Sequence, residues 1–232
     1  QSPSASLVEG TGGVWRVYCH VCDKAGDLYD ITGERPAVAL AVKSTEVRTM
    51  PSRVGTVEAV SVSKRLDSVS AIRAAYPTTE AFYEYTNPAT GKVDLLVTRY
   101  RKADGKKGFS QWSPDGAEWA NTAGPKPWPI YNRTEVRDAV TVVVVEGEKC
   151  VHALRSAGYV GTTSPCGAGK AAHANWAPLA GKTVYLWPDN DPADPKTGKR
   201  NGIEHMREVQ GILERLNPAP SLHWIDPDAL AL

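Results

Sequence analysis

The sequence predicts an α/β protein in which a parallel sheet carries helices on both faces, preceded by a mostly β N-terminal region. Three observations predict it. From Ala139 onward, short apolar runs alternate with helical patterns, the signature of a covered parallel sheet. The run Val142-Val143-Val144-Val145 is apolar throughout, as a strand buried on both faces must be. Before residue 139 the period is two, with glycine- and asparagine-containing turns, which reads as antiparallel strands.

In chain order, Ser6-Leu7-Val8 and Val14-Trp15-Arg16-Val17-Tyr18 flank Gly10-Thr11-Gly12-Gly13 and read as a hairpin. It ends in Cys19-His20-Val21-Cys22. Two thiolates on one tight turn make half of a tetrahedral zinc site; the alternative is two free thiols. The other cysteines, Cys150 and Cys166, lie far along the chain. Residues 31–66 read as a connector, and Asp67 as the cap of a short helix over Ser68–Ala75 closed by Pro77. Glu80–Thr86, Val93–Arg101 and Lys107–Trp112 form a β-meander. Arg99, Arg101, Lys102, Lys106 and Lys107 cluster there among Tyr83, Tyr85, Tyr100, Phe109 and Trp112. Such a mixture suits a single-stranded nucleic acid, by phosphate pairing and base stacking, or is a solvated turn beside an ordinary aromatic core. Then come strand Thr141–Val145, helix Lys149–Ser156 closed by Gly158, strand Tyr159–Thr163, a turn at Trp176–Leu179 and strand Thr183–Trp187. Gly202–Leu216 follows as an amphipathic helix with Ile203, Met206, Val209, Ile212 and Leu213 on one face, and Ser221–Ile225 as the last strand.

Composition excludes more than it selects. The chain has 232 residues, 41% of them hydrophobic, and a net charge of +1. Whole-chain charge therefore names no partner, and a nucleic-acid site would have to be a local patch. With no apolar run of about 18 residues, no membrane span or membrane partner is expected. Four cysteines suggest a reducing compartment, hence a cytoplasmic protein. Gln1-Ser2-Pro3-Ser4 has neither an initiator Met nor a signal core, so the chain is expected to begin inside a longer protein. There is no Gly-x-Ser-x-Gly, His-Glu-x-x-His or Rossmann fingerprint. Gly167-Ala168-Gly169-Lys170 fails as a P-loop, because Ala171 stands where Ser or Thr is required.

The informative feature is where the acids fall. Glu146-Gly147-Glu148 ends the first strand of the α/β segment, and Asp189-Asn190-Asp191 ends a later one. Ligands bind open α/β sheets at that edge, and clustered carboxylates repel unless something neutralises them. Either half alone could be a favourable helix start or a polar loop. Together, one repeat apart, they point to a hard divalent cation with oxygen ligands.

The segment Val-Val-Glu146-Gly147-Glu148 with Trp187-Pro188-Asp189-Asn190-Asp191 resembles the Toprim domain of bacterial-type primases, topoisomerases and some nucleases. It is most similar to the primases of phages and mobile elements, in which EGEK, WPDND and a preceding Gly-Ala-Gly are typical. The likeness covers residues 1–30 and 80–225 and is strongest over 141–191. It implies a Toprim-like sheet and four segments: a zinc-ribbon second half (1–34), a connector (35–79), a β-rich linking domain (80–138) and a catalytic domain (139–232). It further implies a DNA primase that makes RNA primers from NTPs on a single-stranded DNA template, with a replicative helicase as a further partner. The residues implied are Glu146, Asp189 and Asp191 for catalysis and for Mg²⁺ or Mn²⁺, with Glu146 either a ligand or the general base. Glu148, Lys149, Gly167, Gly169 and Lys170 would meet phosphates, and Arg99, Arg101, Lys106 and Lys107 would meet nucleic acid. Cys19 and Cys22 would hold Zn²⁺ if an upstream pair completes the set. A Toprim nuclease uses the same carboxylates, and a non-catalytic nucleic-acid-binding module is the third reading. The chain departs from the pattern after Asp191, where Pro192–Arg200 is inserted before Asn201-Gly202. That offers Asp194 as an extra ligand and Lys196, Lys199 and Arg200 as phosphate contacts.

Overall fold

The computed structural model describes residues 5–9, 15–19, 24–27 and 65–228. Strands β1 (Ala5–Glu9), β2 (Trp15–Cys19) and β3 (Lys24–Asp27) form an antiparallel sheet in chain order. The expected hairpin is present and continues into a third strand. Cys22 and residues 28–64, which hold the end of the expected ribbon half and most of the expected connector, lie outside the described residues.

The meander is a five-stranded antiparallel sheet. Its strands are β4 (Arg65–Leu66), β5 (Ala81–Thr86), β6 (Val93–Arg101), β7 (Lys107–Asp115) and β8 (Glu118–Ala120), in the order β4-β8-β7-β6-β5. Helix α1 (Val69–Ala75) is capped by Ser68, whose Oγ accepts the Ala71 N–H at 3.1 Å. The cap is thus one residue later than the expected Asp67. β4 and α1 belong to this unit, so an origin at residue 80 leaves out part of it. On one face of the sheet Leu96 and Trp112 pack on Ile72 of α1. On the other, Tyr83, Tyr85, Leu95 and Val97 pack against the α/β unit. Burial on both faces explains why Leu95-Leu96-Val97 breaks the alternation.

β9 (Trp128–Pro129) and α2 (Arg133–Asp138) lead into the α/β unit. There β10 (Thr141–Val144), β11 (Gly161–Thr162), β13 (Thr183–Leu186) and β14 (Ser221–Trp224) form a parallel sheet ordered β11-β10-β13-β14. The short β12 (Ala174–Asn175) pairs with β9. Val142 to Val145 are all at most 5% exposed, and such burial stabilises by roughly 1.5–3 kcal/mol per side chain. Val142 and Val144 face α2 and α4 (Asn201–Leu213), meeting Val136, Met206, Val209 and Leu213. Val143 and Val145 face α3 (Glu148–Ser156) and the meander, meeting Val151, Leu154, Tyr85 and Val97. Helices do cover both faces, and the meander shares one of them with α3. Helix α3 closes on Gly158 at φ +82°, a left-handed turn that glycine adopts without penalty. Among the described residues no helix is long and apolar enough to cross a membrane.

Candidate active site

The two acidic corners arise from adjacent strands. β10 and β13 run parallel with Val144 opposite Leu186, so Glu146 and Asp189 leave the sheet at the same end. β10 is followed in sequence by β11 on one side, while β13 and β14 lie on the other. This reversal of winding opens a crevice where ligands of open α/β sheets bind. Across it, Glu146 Oε1 accepts the Asp189 backbone N–H at 3.2 Å. Burial, then the charges of Asp189 and Asp191, push the Glu146 carboxyl up to about 7. Burial and the Asp191 charge push Asp189 up to about 6, with Lys107 opposing. The three carboxylates therefore share one patch. Among the described residues none of them is in an ion pair with Lys or Arg.

Gly202, in the first turn of α4, closes the floor of the site. A Cβ there would lie 2.5 Å from both Glu146 Oε1 and the Asp189 carbonyl oxygen, and 2.9 Å from the Asp189 nitrogen. Only a residue without a side chain lets the helix rest on both corners.

A basic face borders the patch. Cross-strand pairs Arg99–Phe109 and Arg101–Lys107 continue the meander face that, farther down, packs on α3 through Tyr83, Tyr85, Leu95 and Val97. Lys107 is held below the usual lysine range by burial and by the cations of Arg99, Lys149 and Arg101, while Asp189 pulls it back up. Lys107, from the meander, thus lies within charge range both of Lys149 on α3 and of Asp189. Arg99 and Arg101 share one carboxylate, their Nε atoms donating to Glu80 at 3.1 and 2.6 Å, which leaves the pair net positive. Phe109 is 49% exposed on this face.

Other residues singled out in the sequence lie elsewhere. Glu148 turns inward: it is 8% exposed and accepts the hydroxyl of fully buried Tyr85 at 2.7 Å. Burial makes its carboxyl hold a proton more tightly than an ordinary carboxylic acid, and the Tyr85 bond opposes this. Glu148 therefore joins α3 to the meander and does not offer a free carboxylate to a phosphate. Lys106 sits in the turn before β7, paired with Asp104 at 3.6 Å. Gly167 and Gly169 have φ of +68° and +74° with open space around them, and Lys170 is exposed. Their loop follows β11, at the same end of the sheet as Glu146. Asp194 is engaged within its own loop: its Oδ1 accepts the N–H groups of Lys196 and Thr197 and the Thr197 hydroxyl. Arg200 is occupied by protein groups. Cys19 ends β2, and the zinc expectation rests on Cys22, outside the described residues. The Cys150 thiol, pushed up to about 12 by burial and by Asp189 and Glu146, is inert. The Tyr85–Glu148 bond, the seat of Gly202 on both corners and the nearness of Lys107 to Asp189 are not legible in the sequence, because each joins segments far apart in the chain.

The donor set is all oxygen, partly buried, and among the described residues unpaired by any Lys or Arg ion pair, which suits a hard cation. Among the described residues no group of three or more His, Cys, Asp or Glu side chains is gathered closely enough to hold a metal. Magnesium does not require such a cage. It commonly binds through one or two carboxylates, keeps several waters and completes its shell with substrate phosphates. A comparison with models of known protein families returns no match, and neither does one with curated proteins.

Proposed function

We propose that this chain is a Toprim-type DNA primase core that joins NTPs into short RNA primers on single-stranded DNA with Mg²⁺ or Mn²⁺. The observation that supports this reading best is the convergence of Glu146, Asp189 and Asp191 at the reversal of winding between β10 and β13. Asp189 and Asp191, with or without Glu146, would hold the cation. When bound, such a cation would supply a Lewis acid for the attacking 3′-hydroxyl and positive charge to offset the departing pyrophosphate. Glu146, with a proton affinity near neutrality, is suited to take the proton of that hydroxyl. Lys107 places a cation near Asp189, with Lys149 close to Lys107, where phosphates of template and nucleotide would otherwise be repelled. Phe109, exposed on the same face, offers a ring on which a template base can stack.

The test is incubation with Mg²⁺, a single-stranded template and labelled NTPs. Template-dependent RNA of primer length supports the proposal. A shortened template without RNA assigns the site to a nuclease. Retention of the strand with neither product, unaltered in Asp189→Ala, assigns the chain to a binding module.

A further inference from the structure

Immediately after Asp191 the chain makes the excursion 192–199, next to a proposed metal ligand. The excursion is knit to itself: Asp194 accepts three hydrogen bonds from Lys196 and Thr197, and its own N–H donates to the Lys199 carbonyl at 2.8 Å. Arg200 closes its neck. Arg200 Nε donates to the Asp191 carbonyl at 2.9 Å, Nη1 pairs with Asp228 at 2.7 Å, and Nη2 donates to Asn190 Oδ1. Asn190 Nδ2 in turn donates to the Pro227 carbonyl at 3.0 Å. All three guanidinium nitrogens are committed, and the Arg200 side chain is 21% exposed.

We propose that Arg200 is the positioning residue of the acidic site, a three-pronged clamp that isolates Asp189-Asn190-Asp191 from the excursion and fixes it against the segment after β14. The clamp ties three stretches that share no sheet bond at this point: the loop after β13, the start of α4 and residues 226–228. A planar guanidinium can serve three acceptors in fixed directions; an ammonium on a flexible stem cannot. Two residues beyond it Gly202 lies on Glu146 and Asp189, so the clamp also sets how α4 meets both corners. Its purpose, though not its geometry, rests on the metal reading given above.

The Asp189 amide, bonded to Glu146, reports the corner directly. The Trp187 amide, bonded to the Val144 carbonyl at 2.9 Å, reports the sheet beneath. Amide exchange is to be followed by NMR in the wild type, Arg200→Gln and Arg200→Lys, with Mn²⁺ titrated into each. The clamp predicts that Asp189 exchanges about tenfold faster in both variants while Trp187 is unchanged. It also predicts that Mn²⁺ affinity falls about tenfold, as when groups that orient metal ligands are removed. Unchanged Asp189 exchange, or equal acceleration at Trp187, overturns the clamp, and full rescue by lysine overturns the three-pronged geometry. A wild type that binds no Mn²⁺ overturns the metal reading alone, and the exchange result then decides the clamp.

Discussion

Glu146 Oε1 accepts the backbone N–H of Asp189 at 3.2 Å, so two acidic corners 43 residues apart form one structural unit. Both carboxyls hold protons more tightly than ordinary acids, Glu146 to about 7 and Asp189 to about 6. The folded protein thus binds more protons than the unfolded chain above roughly pH 4. Without divalent cations, stability must therefore fall as pH rises from about 4 to about 7, by a sum on the order of 6 kcal/mol. Thermal melts in a chelator across that range should show the fall, and Mg²⁺ at pH 8 should remove it. Glu146→Gln should melt on the order of 10 °C higher than wild type in chelator at pH 8 while losing about a hundredfold or more in activity.

Gly202→Ala separates helix propensity from close packing. In an exposed helix the change would stabilise by about 1 kcal/mol. Here the added Cβ meets the Asp189 backbone at 2.5 Å, a contact that no side-chain rotation relieves. Overpacking should win, with a net loss of about 1–3 kcal/mol in urea melts.

Tyr85→Phe removes the hydroxyl that satisfies buried Glu148. A hydrogen bond to a charged group contributes about 1.5–3 kcal/mol. Urea denaturation should show a loss of that size at pH 8, shrinking as the pH is lowered and Glu148, whose proton affinity burial raises, takes up a proton.

Lys107→Ala should weaken single-strand binding and lower the slope of log affinity against log salt by about one, as for loss of a phosphate contact. Lys106→Ala, altering a lysine paired in its turn, should change the slope far less. Fluorescence anisotropy at several salt concentrations measures both.

The sheet and the site were legible in the sequence to different degrees. Val142–Val145 announced a strand buried on both faces, and acids after two such runs announced a shared edge. The order β11-β10-β13-β14 was not legible, since no periodicity encodes which strands become neighbours. Glu148 read like a site acid because its partner, Tyr85, lies 63 residues away. Asp194 and Arg200 read as a ligand and a phosphate contact because local sequence shows charge but not the hydrogen bonds that consume it. The meander's basic residues were legible as a cluster, whereas the nearness of Lys107 to Asp189 depends on how the two units pack.

The central claim is that Glu146, Asp189 and Asp191 gather a divalent cation. It is tested most directly by titrating Mn²⁺ into the protein at pH 8, following free Mn²⁺ by electron paramagnetic resonance, in the wild type, Asp189→Asn and Asp191→Asn. The account predicts saturable uptake by the wild type that competes with Mg²⁺ and is lost in both variants. Equal uptake by all three proteins, or none by the wild type, would contradict it.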